Sequence, residues 1–231
     1  MRYNRTVQGG QRSRRRFLKT LAVVAGAGVA PRLAQREAPP TPPVPTVTTT
    51  EAPQYFVARA DYHELPPDCY AQNLIRPLEI ILHWDGNRHG RDLWVAPVTF
   101  ETLQLLQQSS HFAVDYKRIW QMLPMYQTLV QESHGAQGYN WSAINVELAG
   151  TEFDQPGNAP PESEVALGVA LVSQLMDFYH VAPEHVLGHY ERDPRGDKRD
   201  PGVQFMAKFR QRLAAYRSRL SPLKQQLLAA P

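Results

Sequence analysis

The sequence predicts one α/β domain, a central mixed β-sheet flanked by helices with its chemistry at the strand ends. Three observations predict it. Short β-rich runs alternate with longer helical patterns along the middle of the chain, as in domains that cover a sheet with helices. The 231 residues suffice for one sizeable core and leave little room for two. Polar residues with metal-binding or acid–base chemistry fall where the strands stop, the usual place for sites in α/β folds.

The elements follow in order. Leu78 to Trp84 is an apolar run closed by Asp85-Gly86 and reads as a buried strand ending at His83. Val98 to Gln108 reads as a helix started by Thr99, with Phe100, Leu103, Leu105 and Leu106 apolar. His111–Asp115 and Arg118–Leu123 read as a hairpin. Ala143–Ala149 alternates, with Ile144, Val146 and Leu148 on one face and Asn145 and Glu147 on the other. Pro161–Tyr179 is the longest helical pattern, and His185–Gly188 is a short strand running into a loop. Val203 to about Leu220 closes the domain as a basic helix, with Phe205, Phe209, Leu213 and Tyr216 at helical spacing. The domain is thus expected over residues 55–220, with a C-terminal tail at 221–231.

Charge is segregated. Residues 1–38 carry a net +8, residues 39–200 a net −11, and residues 201–231 a net +6. An acidic body repels phosphate backbones, so the basic overall balance does not point to nucleic acid. The longest apolar run, Leu21–Ala30, has ten residues, half the length of a membrane-spanning helix, so no stable span is expected in the mature protein. A lone cysteine, Cys69, excludes an intramolecular disulfide framework and any multi-cysteine zinc site.

The first 38 residues read as an address. Ser13-Arg14-Arg15-Arg16-Phe17-Leu18-Lys19 resembles the twin-arginine export signal at every fixed position, and Leu21–Ala30 supplies the short, weakly hydrophobic stretch after it. The resemblance implies passage through the twin-arginine translocase in a folded state and a destination in the periplasm, the cell envelope or outside the cell. Residues 39–54 follow as a linker. Six of the fifteen residues from Pro39 to Pro53 are proline and five are threonine, a composition that neither continues a helix nor pairs as a central strand.

His83 ends the first strand, His189 follows the last, and Asp200 lies eleven residues further on. Two imidazoles and a carboxylate are a common ligand set for catalytic zinc, with the fourth position left to water. Glu147, on the polar side of its strand, is a candidate base and then acid. Lys198 is a candidate for stabilising a developing oxyanion. On spacing alone, a histidine at a strand end is more often a hydrogen-bonded structural residue, and His111 reads as structural.

Local motifs narrow the choice. Ile81-Leu82-His83-Trp84, Ser133-His134-Gly135-Ala136-Gln137-Gly138-Tyr139-Asn140, Ile144-Asn145-Val146-Glu147-Leu148-Ala149-Gly150-Thr151, Gly188-His189 and Lys198-Arg199-Asp200-Pro201-Gly202 occur in this order. Together they resemble the type 2 N-acetylmuramoyl-L-alanine amidases, which share their fold with peptidoglycan recognition proteins and phage amidase lysozymes. The resemblance runs from about Leu78 to Phe209. It implies one Zn2+ per chain held by His83, His189 and Asp200, with Glu147 as the catalytic acidic residue and Lys198 on the oxyanion side. It also implies a peptidoglycan or muropeptide substrate whose groove is lined by His134 and Asn140. For Asn140 a turn-forming role is the stronger alternative. Three departures stand out: Asn145 where the family usually has glycine, Tyr116-Lys117 at the hairpin turn, and a slightly longer loop between His189 and Asp200. The class-different alternative is a non-catalytic muropeptide-binding module of the same fold, which would generally lack a ligand that this chain has.

Overall fold

The computed structural model describes residues 60–136 and 138–229. The export-signal motif, the linker and Gln137 lie outside these residues. Eight strands are present among the described residues: β1 (Ala60–Tyr62), β2 (Leu74–Ile75), β3 (Glu79–Trp84), β4 (Phe112–Val114), β5 (Ile119–Gln121), β6 (Val130–Gln131), β7 (Ala143–Leu148) and β8 (Val186–Gly188). Among the described residues three α-helices accompany them: α1 (Ala96–Leu106), α2 (Glu162–Tyr179) and α3 (Val203–Ala229).

Six strands form one mixed sheet in the order β1-β5-β4-β7-β3-β8, while β2 and β6 make a separate antiparallel ribbon. The long strands β3 and β7 pair in parallel at the centre, placing His83 directly beside Glu147. β8 adds to β3 in parallel as an edge strand. β4 and β5 form the antiparallel hairpin that the sequence predicts, turning at Tyr116-Lys117. That turn is held by the buried Asp115 carboxylate, whose Oδ1 accepts the N–H groups of Lys117 (2.7 Å) and Arg118 (2.9 Å). An aspartate bonding backbone two and three residues on supplies the closure here.

The sheet has two unlike faces. On the back, Ile80, Leu82, Phe112, Val114, Ile144, Val146 and Leu148 pack against Val165, Val169 and Val172 of α2 and Phe205, Phe209 and Leu213 of α3 in one core. On the front, a smaller group around Ala113, Leu103 and Met122 lies under α1, and Ile81 and Ala143 lie under the 133–142 loop with Ala136 and Tyr139. Residues 79, 81 and 83 of β3 and 143, 145 and 147 of β7 therefore belong to the front. Both sides of β7 are buried, although its alternation alone is equally compatible with a solvent-facing polar side. Its polar residues face a second, loop-built layer.

Several element boundaries differ from the sequence reading, two helix ends among them. Helix α1 starts at Ala96, and Thr99 does not start it: its hydroxyl donates to Asp85 Oδ2 at 2.7 Å. The free Ala96 N–H is capped from a distance by Asp115 Oδ2 at 2.9 Å, a partner that local sequence does not reveal. Helix α3 continues past Leu220 to Ala229. Among the described residues, no helix is long and apolar enough to cross a membrane.

Candidate active site

Three chain segments meet at the front end of β3. His83 projects from β3 one residue before its end. β8 lies on the far side of β3 and delivers His189 at its exit. The 190–200 loop then returns, fixed by a hydrogen bond from Tyr190 N–H to Asp200 O (3.1 Å), so that the Asp200 side chain reaches both imidazoles. The resulting distances are 3.0 Å between the two Nδ1 atoms, 3.1 Å from His83 Nδ1 to Asp200 Oδ2, and 2.9 Å from His189 Nδ1 to the same oxygen. All three residues are buried.

This donor set fits a zinc ion. Tetrahedral ligands at about 2.0–2.1 Å from zinc stand roughly 3.3–3.4 Å from one another, so these atoms need to spread by only a few tenths of an ångström. Two imidazole nitrogens and one carboxylate match the ligand chemistry of that ion. Burial disfavours a charged His83 ring, but Glu147, Asp200 and Asn145 together outweigh it and raise its pKa. Burial pulls His189 down, aided by the neighbouring His83 and Lys198 charges against Asp200. Asp200 is itself disfavoured as an anion by burial, yet the hydrogen bonds from both rings hold it well below the usual carboxylate range. The trio thus keeps a carboxylate oxygen and two imidazole Nδ1 atoms converging at one point.

Glu147 stands beside this trio on β7. Its Oε1 accepts from Ser110 Oγ at 2.9 Å, while its buried Oε2 has no hydrogen-bond partner among the described residues. Burial pushes its carboxyl up to about 7, against the His83 charge and the Ser110 hydroxyl that favour the anion. A carboxyl poised near neutrality can both take and return a proton there. Lys198 is exposed on the 190–200 loop. The loop is tied by Asp193, whose carboxylate accepts the N–H groups of Arg195 (3.1 Å), Asp197 (2.5 Å) and Lys198 (2.6 Å). The segment between His189 and Asp200 is thereby a closed turn, and the Lys198 charge lies near enough to His189 to help lower its pKa.

His134 is exposed on the 133–142 loop, and its N–H donates to Ser109 Oγ at 2.9 Å. Asn140 is half-buried and its Oδ1 accepts the Ala136 N–H at 2.6 Å, so part of its side chain closes the loop. Cys69 is buried and outside the donor cluster. Sequence reasoning did not single out Ser110, Ser133 or Asp193. Each acts through a hydrogen bond to a residue distant in sequence or to loop backbone, and a lone serine or aspartate carries no local signal of that.

The fold and the donor set define the class: an α/β domain with a His-His-Asp cluster that could hold a metal ion and a buried acid at the strand ends. Solved structures share this fold. A mutant endolysin from Bacillus subtilis matches at a TM-score of 0.52 and 17% identity, over 67% of this chain and 98% of its own. A mutant of PlyL matches at 0.51 and 19%, over 67% and 98%. The N-acetylmuramoyl-L-alanine amidase LysCS, an endolysin from Clostridium intestinale URNW, matches at 0.51 and 16%, over 67% and 95%. No curated protein matches the chain. The N-acetylmuramoyl-L-alanine amidase family matches residues 74–203, more than half of the sequence, and this chain belongs to that family.

Proposed function

We propose that this protein is a zinc-dependent hydrolase of the amide bond between the lactyl group of N-acetylmuramic acid and L-alanine, in peptidoglycan or its fragments. Family membership supports the reaction class. The observation that carries the proposal is the convergence of His83 Nδ1, His189 Nδ1 and Asp200 Oδ2 within 3.1 Å of one another, with Glu147 in direct register with His83. When bound, zinc supplies Lewis-acid polarisation of the scissile carbonyl and lowers the pKa of a water toward 7.

The chain's own residues supply the rest. His83, His189 and Asp200 hold the ion. Glu147 takes the proton of the attacking water and returns one to the departing alanine nitrogen, a double duty suited to a carboxyl raised to about 7. Lys198 brings positive charge to the oxyanion that develops on the carbonyl. His134 and Asn140, on the loop that covers the front face, contact the muropeptide. The Arg14-Arg15 motif supports export by the twin-arginine translocase to the periplasm, cell envelope or exterior.

The deciding experiment is mass spectrometry of muropeptides after incubation with zinc-loaded protein. The expected result is release of stem peptides bearing a free alanine amine, leaving the lactyl carboxylate on the glycan. Tight muropeptide binding with no cleavage would replace this reading with that of a binding module.

A further inference from the structure

Behind the donor trio lies a buried chain of hydrogen bonds that the mechanism above does not use. His83 Nε2, the ring nitrogen turned away from the trio, is 2.8 Å from Asn145 Oδ1. The same carboxamide donates through Nδ2 to Ser133 Oγ at 2.6 Å. The Asn145 backbone N–H donates to His111 Nδ1 at 3.0 Å, and His111 Nε2 meets the Gln131 carbonyl at 2.8 Å. His83, His111, Ser133 and Asn145 are all 2% exposed or less.

The outer part of this chain has a single proton arrangement open to it. A backbone N–H can only donate, so His111 Nδ1 is a lone pair; a backbone carbonyl can only accept, so His111 Nε2 carries the proton. That anchors the strand position from which the Asn145 side chain projects. The carboxamide is also wedged in place. A Cβ added at Gly135 would lie 3.2 Å from Asn145 Cγ, 2.9 Å from Ser109 O and 3.1 Å from Ser110 Oγ, so the loop approaches this amide as closely as a glycine permits. With Nδ2 committed to Ser133, the acceptor Oδ1 faces His83. A ring nitrogen facing an acceptor oxygen at this distance carries the proton, so Nε2 is closed to an ion, and Nδ1, which faces Asp200 Oδ2 at 3.1 Å, is the nitrogen whose lone pair serves once an ion takes the place of its proton.

We infer that Asn145 is a positioning residue for the metal site: its carboxamide oxygen, set by Ser133 and Gly135, fixes His83 as the Nε2–H tautomer and aims the Nδ1 lone pair at the ion. The inference rests on the reading of His83, His189 and Asp200 as zinc ligands. Outer partners of this kind typically contribute about 10- to 100-fold to metal affinity. Asn145, which stands where the family usually has glycine, is in this account part of what makes the strand end a ligand.

The test is the zinc affinity of the full chain, measured by competition with a chromophoric chelator. Asn145→Ala should bind zinc about 10- to 100-fold more weakly than wild type. Asn145→Asp should bind within a few-fold of wild type, because a carboxylate oxygen still accepts the Nε2 proton and the Ser133 hydroxyl can turn to donate. Ser133→Ala should fall between them. Nitrogen-15 NMR of the imidazoles in zinc-loaded protein gives a second readout, with His83 protonated at Nε2 in wild type. Unchanged zinc affinity in Asn145→Ala would overturn the inference and leave the metal reading intact. So would an Asn145→Asp variant as weak as Asn145→Ala, since it would mean that the amide donates to His83. A wild-type protein that takes up no zinc overturns the metal reading and this inference with it.

Discussion

Replacing Glu147 by glutamine should make the protein more stable and nearly inactive at once. The size of the first effect follows from burial. The carboxyl ionises near 4.5 when unfolded and near 7 in the folded chain, because it is buried with one oxygen unpartnered. Between those values the folded state keeps a proton that the unfolded state has released, so this group's contribution to stability is fully present below 4.5. It declines as pH rises and is lost above 7. A shift of about 2.5 units at about 1.36 kcal/mol each amounts to roughly 3 kcal/mol at pH 8. Glutamine keeps the shape, still bonds Ser110 and never ionises, so it escapes that loss. Chemical denaturation in the presence of a chelator should show the Gln variant more stable by about 3 kcal/mol at pH 8 and by about 1 kcal/mol or less at pH 5. The chelator matters because a bound cation would favour the anion and shrink the difference. Turnover of a muramyl-peptide by zinc-loaded samples should fall by about 10²–10⁴-fold, the usual worth of general acid–base catalysis. A Gln variant that is less stable than wild type at pH 8 would refute the account of the buried carboxyl. Near-wild-type turnover would remove Glu147 from the mechanism.

Other expectations can be checked separately. Elemental analysis should find close to one zinc per chain in wild type and a large loss in His189→Ala; no uptake of added zinc by wild type would contradict the ligand assignment. Exchanging both Arg14 and Arg15 for lysine keeps the charge but should leave the precursor in the cytoplasm by cell fractionation, since the pair is read by a receptor. Normal export of that variant would point to another route. Glu164, fully buried at the start of α2, is pushed up to about 9 by burial, with Asp85 and Asp115 adding to it. No well-formed hydrogen bond reaches either of its oxygens among the described residues. Its raised value means stability that is present below about 4.5 and lost as pH climbs toward 9, so Glu164→Gln should gain on the order of 4 kcal/mol at pH 8 and little at pH 4. Parallel stability–pH curves for the two proteins would exclude this.

What the sequence makes legible is what depends on local pattern. The apolar run before His83 and the alternation from Ala143 to Leu148 locate β3 and β7, and their parallel pairing then fixes where His83 and Glu147 meet. The strand-end positions of His83 and His189 likewise foretell the place where their side chains converge. The two-residue strands β2 and β6 are too short to show any period, and they exist because they pair with each other. The start of α1 is misplaced because its cap comes from Asp115, nineteen residues away. The partners of the site residues are hidden for the same reason: Ser110 is 37 positions from Glu147, and Asn145 is 62 from His83. Periodicity reports which face a side chain takes, but not which loop comes to cover that face.

β8 has a neighbour on one side only, and it is the strand that hands His189 to the site. Its open flank is not left bare. Arg210 of α3 donates to Val186 O from Nε at 3.1 Å and from Nη2 at 3.0 Å, blunting an edge that another chain could otherwise extend. The donor set therefore hangs in part on an edge strand of the sheet, and on residues 117 positions apart in the chain. Peeling β8 away scatters the donors, and an ion that binds only the assembled donors opposes the peeling in proportion to its free concentration. Metal occupancy and the fraying of this border are two views of one equilibrium. Zinc held there as proposed would work as a rivet at the seam as well as a reagent.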